Sequence, residues 1–458
     1  MASIDEHKLS ILTEFLAHHP HISYATPSSP DYERLRCCFI INNAIKPPLI
    51  VCPVTATDVS YLVSVMKTHS IPFTIRSGGH DLFLRSLATH AVTIDLRDIA
   101  HVQIDHESQS ARIGGGVLIG GLATQLANAK LATAFGTIPT VGYVGWAIHG
   151  GYGMLSAHYG LGVDQILGAR VVNANGDLVD ADDSMLKGIR GGGGILGVIV
   201  ELTIRVYPLE KVFAGVVMYD SHDLPSTIKQ YNDGYRSLAE NGLPPQLGIQ
   251  QAVVNSPTGK TLIAFFLWSS SDIQTGELWL SKFSSIAQVS MHTVTETTLP
   301  DWMNMAGRYA VERRYGSMAT ITLRRLTPRV VDVISTYALT MPSDPTSFVS
   351  IHQLRGPATE GKHPDSIFPT RQPHYMFEIF PALKSPDNLA AAAKWADEFE
   401  QALRQAEPEN VVPGTYLALS DPSKMNSRRI FADKYETLVE LKKTYDPQNI
   451  FQFAIAQV

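Results

Sequence analysis

Five consecutive residues, Arg76, Ser77, Gly78, Gly79 and His80, combine groups that could bind an anion and carry out chemistry beside it. The paired glycines let the backbone turn tightly and expose successive N–H groups, which can form a concave nest for a phosphate. Arg76 adds a planar cation, Ser77 a hydroxyl donor and His80 a nucleophilic ring nitrogen. A polar turn that contains a histidine by chance is the alternative, because glycine-bearing loops are common at strand ends.

A second glycine-rich stretch, residues 136–153, contains His149. Glycines lose much conformational freedom on folding, so such a run is expected where the backbone approaches something flat or charged. His149 could exchange a proton with a ligand, because an unperturbed imidazole titrates near neutral pH; a hydrogen-bonded structural role is the alternative. A dinucleotide-binding Rossmann fold is the rival explanation for the glycines, but Gly192-x-Gly194-x-x-Gly197 precedes a predicted strand instead of a helix.

The elements expected around these loops begin with a strand–helix–strand unit. Apolar runs predict strands at 49–52 and 71–75, and apolar residues recur at helical spacing from 59 to 66. The Arg76-to-His80 loop leaves the carboxyl end of the second strand, where ligands of such sheets usually bind. Residues 210–405 differ, because their strand-like runs and helical patterns predict an antiparallel sheet covered by helices.

Composition narrows the range of partners and compartments. The 458 residues indicate two or three domains, and a net charge of −6 argues against nucleic acid or an anionic membrane as a partner. The three cysteines, Cys37, Cys38 and Cys52, form neither a disulfide framework nor a zinc site, so no metal is expected and a reducing compartment is favoured. No signal peptide and no window of the ~20 apolar residues of a membrane span are seen, which predicts a cytoplasmic protein.

In their order along the chain, the glycine motifs resemble those of the berberine bridge enzyme-like oxidases. These form a branch of the vanillyl-alcohol oxidase superfamily and have a PCMH-type FAD-binding domain. The resemblance covers most of residues 44–210 and the C-terminal segment, and the ordered set is highly specific. The motifs are Arg76-Ser77-Gly78-Gly79-His80, Ala111-Arg112-Ile113-Gly114-Gly115-Gly116, Pro139-Thr140-Val141-Gly142, Gly150-Gly151-Tyr152-Gly153, Tyr159-Gly160-Leu161, Arg190-Gly191-Gly192-Gly193-Gly194 and Tyr445-Asp446-Pro447-Gln448-Asn449-Ile450-Phe451.

The resemblance implies that the chain binds FAD and that His80 carries it through a covalent bond to the 8α-methyl carbon of the flavin. Doubly attached members also place a cysteine directly before Pro-Thr-Val-Gly, where this chain has Ile138, which cannot form a thioether. The chain therefore resembles the singly attached branch, of which bacterial 6-hydroxy-D-nicotine oxidase is typical. The residues expected to contact FAD are Arg76, Ser77, Gly78, Gly79, His80, Pro139, Thr140, Val141, Gly142, Gly145, His149, Gly150, Gly151, Gly153, Asp164, Gly194 and Val198.

The substrate side of the flavin departs from the family pattern. Residues 414–421 resemble a Gly-x-Tyr-x-Asn-Tyr-x-Asp segment whose second tyrosine acts as the base in several members. Here Ala418 and Leu419 replace the Asn-Tyr pair, and neither side chain can take a proton. The catalytic candidates that remain are His149 and Tyr416.

Substrate contacts are expected from the middle segment. The candidates are His352, Gln353 and Tyr375. Because side chains alternate along a strand, His352 and Gln353 lie on opposite faces of the strand predicted there, and the sequence leaves open which face is inward.

The expected fold is α+β, with a two-part FAD-binding domain and a substrate domain whose antiparallel sheet is covered by helices. Residues 1–209 form the first part of the FAD-binding domain, with a PCMH-type core at about 44–209. Residues 210–405 form the substrate-binding domain, and residues 406–458 return to the FAD-binding domain.

The function that the resemblance implies is oxidation of a small, largely apolar metabolite in secondary metabolism, with hydride transfer to flavin N5 and reoxidation by dioxygen. Without a tyrosine base, the favoured substrates are amines, activated C–H bonds or polyenes set up for cyclisation. Two alternatives stay open: a flavoprotein cyclase or rearrangement catalyst without net oxidation, and a flavin-binding protein without catalysis.

Overall fold

The computed structural model describes residues 4–307, 312–414 and 416–458. Thr415, which belongs to the 414–421 segment, lies outside the described residues. The N-terminal segment alternates short strands with helices. Its elements are α1 (Glu6–Ala17), β1 (Ser23–Ala25), α2 (Tyr32–Arg36), β2 (Ile50–Cys52), α3 (Ala56–Thr68), β3 (Phe73–Arg76), β4 (Val92–Asp95), β5 (Val102–Asp105), β6 (Ser110–Gly114), α4 (Ile119–Asn128), β7 (Leu131–Ala132), α5 (Tyr143–Ala147), α6 (Ser156–Tyr159), β8 (Ile166–Val172), β9 (Leu178–Asp180), α7 (Asp183–Gly192), β10 (Val198–Arg205) and β11 (Tyr207–Pro208).

Two sheets organise this segment. In the first, the strand order is β1-β2-β4-β3, and both β2 and β3 pair parallel to β4. The helix α3 joins β2 to β3 and begins with a capping box, in which Thr55 and Asp58 each accept the other's backbone N–H. In the second sheet the order is β5-β6-β10-β8-β9, and the pairs are antiparallel. The predicted strand–helix–strand unit is therefore confirmed, and the His80 loop follows β3.

The middle segment is built on one large antiparallel sheet. Its strand order is β15-β12-β14-β13-β18-β19-β17, with β16 pairing beside β12, and α8, α9, α11 and α12 pack against one face to form a core. The predicted sheet covered by helices is confirmed. The elements are β12 (Val212–Tyr219), α8 (Leu224–Glu240), β13 (Leu247–Ser256), β14 (Gly259–Trp268), α9 (Ile273–Ser284), β15 (Val289–His292), β16 (Thr295–Thr297), α10 (Leu299–Gly307), β17 (Ala319–Leu323), α11 (Pro328–Thr340), β18 (Phe348–Leu354), β19 (His374–Phe380) and α12 (Leu389–Ala406).

The C-terminal segment returns to the first one. It contains α13 (Ser427–Phe431) and α14 (Tyr435–Tyr445), and Leu438 of α14 joins the same buried core as Leu186 and Ile189 of α7. The α+β fold with a sheet of antiparallel strands is thus as predicted, while the boundaries at 209 and 405 stay a prediction. None of the helices in the described ranges has both the length and the apolar character needed to cross a bilayer.

Candidate active site

A cavity of about 1170 Å³ lies between the glycine loops of the N-terminal segment and the face of the large sheet that the four helices leave free. Cavities that bury one drug-sized ligand usually measure ~300–1,000 Å³, so this one is large enough for a cofactor and a second molecule. Several residues that the sequence assigned to FAD line it: Ser77, Gly78, Gly79, His80, Val141, Gly142, Gly145, His149, Gly194 and Val198.

The His80 loop (residues 76–80) turns its backbone toward this cavity. None of the described loop or side-chain hydrogen bonds uses the backbone N–H groups of residues 77–80. Gly79 has a φ of +74°, and a Cβ there would lie 2.8 Å from the Arg76 guanidinium, so glycine is required. A Cβ on Gly78 would lie 2.2 Å from the backbone N of Gly142, which means that the two glycine loops touch. Such successive N–H groups suit an anion or a carbonyl oxygen.

The His80 ring lies in the cavity wall, stacked on Phe39 with ring centroids 4.4 Å apart. Its Nε2 lies 2.8 Å from the hydroxyl oxygen of Thr140, so the two glycine loops meet at this side chain. Burial lowers the pKa of His80 to about 3, and the positive charges of Arg314 and Arg76 add to the effect. His80 is therefore neutral at physiological pH and has a nitrogen lone pair to offer as a nucleophile.

Arg76 does not line the cavity, which corrects its assignment as a cofactor contact. Its buried guanidinium donates to the backbone carbonyls of Leu35 and Cys37 and lies 3.7 Å from the carboxylate of Asp95. Arg97 binds the same carboxylate at 2.6 Å. Because Arg76 is the last residue of β3, strand alternation points its side chain at the segment that precedes β2. The cation supports the loop from behind instead of facing a ligand.

Six other predicted contacts lie behind the cavity wall: Pro139, Thr140, Gly150, Gly151, Gly153 and Asp164. Close packing accounts for the glycines, since a Cβ on Gly153, for example, would lie 2.1 Å from the carbonyl oxygen of Phe135. Asp164 accepts the backbone N–H of Leu161 at 2.8 Å and pairs with Arg371 at 2.7 Å. Asp164 thus joins a turn to the middle segment, which corrects its assignment as a cofactor contact.

His149 lines the cavity with its ring against Gly193. Its Nδ1–H donates to the carbonyl oxygen of Gly145 at 2.9 Å, while Nε2 is buried with no hydrogen-bond partner among the described residues. A Cβ on Gly193 would lie 2.2 Å from that Nε2. Burial lowers the pKa of His149 to about 4, although the hydrogen bond to Gly145 opposes this effect. The expectation that His149 titrates near neutral pH is therefore corrected: the neutral ring persists across the physiological range.

The C-terminal segment contributes Tyr416, Ala418 and Leu419 to the cavity wall. The Tyr416 hydroxyl donates to the carbonyl oxygen of Trp146 at 3.1 Å, and burial raises the pKa of this tyrosine far above its usual range. A tyrosine in this state is a poor proton acceptor. This geometry favours a structural role for Tyr416, and its assignment as a catalytic residue stays a prediction.

Arg85 ties this segment to the residues that follow the His80 loop. It pairs with Asp81 at 2.6 Å, and both side chains line the cavity. Its guanidinium also donates to the carbonyl oxygens of Leu417 at 3.3 Å, Ala418 at 3.0 Å and Ser420 at 3.4 Å. Parts of the wall that are 332 positions apart in the sequence therefore form one hydrogen-bonded unit.

The free face of the large sheet forms the other wall, and it contains His352 but not Gln353 or Tyr375. Gln353 accepts a hydrogen bond from the Tyr235 hydroxyl of α8 at 2.5 Å and donates to the Tyr375 hydroxyl at 3.2 Å. Both residues thus lie on the face that the helices cover. The assignments of Gln353 and Tyr375 as substrate contacts are wrong, because alternation along β18 and β19 turns them away from the cavity.

Three polar side chains that sequence reasoning missed accompany His352 in the cavity. Glu378 Oε2 lies 3.3 Å from His352 Nε2. Gln250 donates to Ser350 Oγ at 2.5 Å, and its amide nitrogen also lies 3.0 Å from His352 Nε2. The signal for Glu378 was present, since it is the lone carboxylate in the largely apolar strand His374–Phe380, and a charge in such a strand needs a partner or a function.

Buried neutral imidazoles, among them His149 and His374, predict that the protein loses stability in mild acid. Burial lowers the pKa of His374 to about 4, as it does for His149. The Nδ1–H of His374 donates to Gln372 O at 2.7 Å, and its Nε2 accepts the Tyr152 hydroxyl at 2.8 Å. The unfolded chain takes up these protons below pH 6.5, whereas the folded chain resists until about pH 4. Stability is therefore complete above pH 6.5 and falls as the pH drops toward 4, by about 3 kcal/mol for each ring.

The measurement is the thermal midpoint of unfolding at pH 7.5, 6.5, 5.5 and 4.5. The midpoint of the wild type should fall steeply below pH 6.5, and His374→Gln should show a shallower decline. His106→Gln, which changes an exposed histidine, is the control and should follow the wild type. A His374→Gln profile parallel to that of the wild type would contradict the assignment.

The residues that line the cavity fit FAD. The N–H groups of residues 77–80 suit phosphate or flavin oxygens. A Cβ on Gly145 or Gly194 would meet no protein atom within 4 Å although both line the cavity, so their backbone is open to a flat ring. His80 is a neutral nucleophile, and none of the three free cysteines lines the cavity.

Comparisons with known proteins agree with this assignment. One family profile, described as FAD binding domain, matches residues 47–182, and another, described as berberine and berberine like, matches residues 415–456. The FAD-linked oxidoreductase aurO of Gibberella zeae is 28% identical, over 99% of this chain and 88% of that protein. The (R)-6-hydroxynicotine oxidase of Paenarthrobacter nicotinovorans is 32% identical, over 43% of this chain and 45% of that protein.

Solved structures show the same fold. The 6-hydroxy-D-nicotine oxidase of Arthrobacter nicotinovorans superposes with a TM-score of 0.82 at 21% identity, covering 94% of this chain and 97% of that one. A variant of berberine bridge enzyme gives 0.80 at 20% identity, covering 95% and 97%. The two profiles and the relatives lead to one conclusion: the chain is similar to the berberine bridge enzyme-like FAD-linked oxidoreductases, and it has the fold of their solved structures.

Proposed function

We propose that this chain carries FAD covalently on His80 alone and oxidises a small, largely apolar molecule, with dioxygen as the electron acceptor. One observation carries the proposal: a single cavity brings the neutral His80 ring and the glycine backbone together with a carboxylate–imidazole pair, Glu378 and His352. The oxidases among the relatives support dioxygen as the acceptor, and the likeness to fungal FAD-linked oxidoreductases supports a place in secondary metabolism.

Bound FAD would supply the redox chemistry, by accepting a hydride from a substrate C–H bond and passing the electrons to dioxygen to form hydrogen peroxide. The chain's own residues bind and orient the cofactor and the substrate, and they exclude water. The backbone of residues 77–80 and Gly145 would hold the cofactor, and Ile138, Phe380 and Leu419 make the surrounding wall apolar. An apolar, water-poor wall strengthens the electrostatic interactions inside it and protects reduced intermediates from side reactions.

Glu378 is the proton acceptor that we propose. When a hydride leaves a carbon that bears a hydroxyl group, the oxygen must also give up its proton for a carbonyl to form, so the substrate loses two hydrogens in all. The carboxylate of Glu378 lies in the cavity wall, backed by His352 at 3.3 Å, and can receive that proton. The restriction to substrates that need no base, drawn from Ala418 and Leu419 alone, therefore no longer follows.

The test of oxidase function needs no substrate. The purified protein is photoreduced without oxygen, oxygen is admitted, and both the return of the flavin absorbance and the peroxide released are measured. We expect complete reoxidation within seconds to minutes, with one peroxide per flavin. A flavin that stays reduced would exclude dioxygen as the acceptor, and a protein without bound flavin would exclude the proposal as a whole.

A further inference from the structure

The sheet face that lines the cavity is divided by polarity. Strand register sets nine of its cavity-facing side chains in two adjacent rows, which are Val216, Phe265, Gln250 and His352 in one row and Met218, Ile263, Ala252, Ser350 and Glu378 in the next. The apolar side chains of Val254, Phe348 and Phe380 follow beside the second row. The polar members all come from β13, β18 and β19. The members from β12 and β14 are all apolar.

We propose that the substrate of this site is elongated and amphipathic. Its hydrogen-bonding end is held by Glu378, His352, Gln250 and Ser350, and its apolar end lies across β14 and β12. This inference rests on the proposed function and specifies the substrate class of that same site.

The polar half is a connected set of donors and acceptors. Gln250 and Ser350 are buried, and the side chains of His352 and Glu378 are only 12% and 19% exposed. A hydroxyl or amine placed here can donate to the Glu378 carboxylate. A purely apolar molecule would instead remove the remaining water from this carboxylate without replacing its hydrogen bonds, which is unfavourable.

Apart from Thr293, whose hydroxyl oxygen accepts the backbone N–H of Val216, the apolar half offers a ligand no hydrogen-bonding side chain. It continues onto Met291 of β15, which also lines the cavity and is 52% exposed, so this half opens to solvent. Neighbouring strands lie ~4.8 Å apart, so the three strands of this half, β15, β12 and β14, span roughly 10 Å. Lys260 lines the cavity as well, but near the β13–β14 turn, beyond both rows.

These dimensions favour one class of ligand over two others. A sugar carries hydroxyl groups on all sides and would leave some of them unpaired against β12 and β14. A compact polar ring would cover only the half formed by β13, β18 and β19. A molecule with one polar end and a hydrocarbon or fused-ring part satisfies both halves at once.

The test is a binding titration of the flavin-loaded protein with 4-alkylphenols, monitored by the change in the visible flavin spectrum. From 4-ethylphenol through 4-butylphenol to 4-hexylphenol, Kd should fall about fourfold for each added methylene, because each one is buried against the apolar half. The matching 4-alkylanisoles cannot donate a hydrogen bond, so they should bind about tenfold more weakly at each length, with the same dependence on length. A Kd that does not depend on chain length would overturn the proposal.

Matched variants separate the two halves. Ile263→Thr keeps the β-branch but shortens the side chain and adds a hydroxyl, and it should flatten the dependence on chain length; Met218→Gln, which is close in length, is a second variant of the same half. Glu378→Gln should weaken all phenols by a similar factor and leave the length dependence intact. Leu339→Thr, at a 52% exposed position outside the cavity, is the control and should change nothing.

Unchanged length dependence in both Ile263→Thr and Met218→Gln would also overturn the proposal. The reoxidation assay contains no phenol, so the two failures are distinguishable. A protein that fails the titration but reoxidises normally loses only the substrate class.

Discussion

The His80→Ala variant should release its flavin into the supernatant on acid denaturation, whereas the wild-type pellet should stay yellow. His80 is the side chain in the cavity wall that combines a neutral, nucleophilic ring with the position that the family uses for attachment. Its surroundings, Phe39 and Thr140, do not depend on the covalent bond, so the folded variant should still bind FAD reversibly.

The measurement is flavin absorbance in the pellet and in the supernatant, with SDS gel fluorescence as a second readout. His101→Ala changes a histidine paired with Glu201 outside the cavity, and this control should keep acid-stable flavin. Covalent flavin in His80→Ala would show that another residue is the attachment point. Ile138→Cys offers a thiol in the cavity wall, and an acid-stable flavin in the double variant His80→Ala/Ile138→Cys would show that the wall tolerates a thioether.

The second large effect is expected for Glu378→Gln, which should slow flavin reduction by substrate ~10²- to 10⁴-fold. The amide keeps the size of the carboxylate but cannot accept the proton that leaves the substrate heteroatom. His352 lies 3.3 Å from Glu378 and cannot fully replace it as the proton acceptor, because the two side chains act as a pair.

The measurement is anaerobic single-turnover reduction with the first compound that bleaches the flavin in a panel of amines, phenols and polyenes. Glu398→Gln, an exposed carboxylate on α12, is the control and should react like the wild type. A Glu378→Gln rate within threefold of the wild type, together with a loss in His149→Gln, would move the proton-accepting role to His149. The oxidised flavin spectrum should be normal in each variant, which separates chemistry from cofactor loss.

The ordered glycine motifs and the period-2 strands were sufficient to predict the fold. Glycine permits close backbone approach, and Gly78 and Gly142 show this where the two glycine loops touch. Alternating apolar residues likewise predict the large sheet, because one face must pack against helices. The helix α11 was missed although Thr327 caps it and Pro328 opens it, which are ordinary helix-start signals.

The site residues were harder to predict, because their roles depend on direction and on distant partners. Alternation placed His352 and Gln353 on opposite faces, but only the position of α8 decides which face is covered. Arg76 was assigned to a ligand by its charge, while its partners at Leu35 and Cys37 lie at the end of α2, 41 and 39 positions earlier in the chain. The lowered pKa of His149 likewise comes from burial among residues distant in sequence, to which no local pattern points.

The Arg85 contacts have a consequence for biosynthesis. Arg85 holds the wall beside His80 through the carbonyl oxygens of Leu417, Ala418 and Ser420, which the ribosome adds 332 to 335 residues later. A nascent chain that has already made residues 76–85 therefore still lacks one side of its cofactor pocket. We infer that FAD is incorporated only after residues 417–420 have left the ribosome, and flavin in a chain truncated before residue 416 would contradict this. The supply of free FAD in the cell would then set how much newly made protein matures.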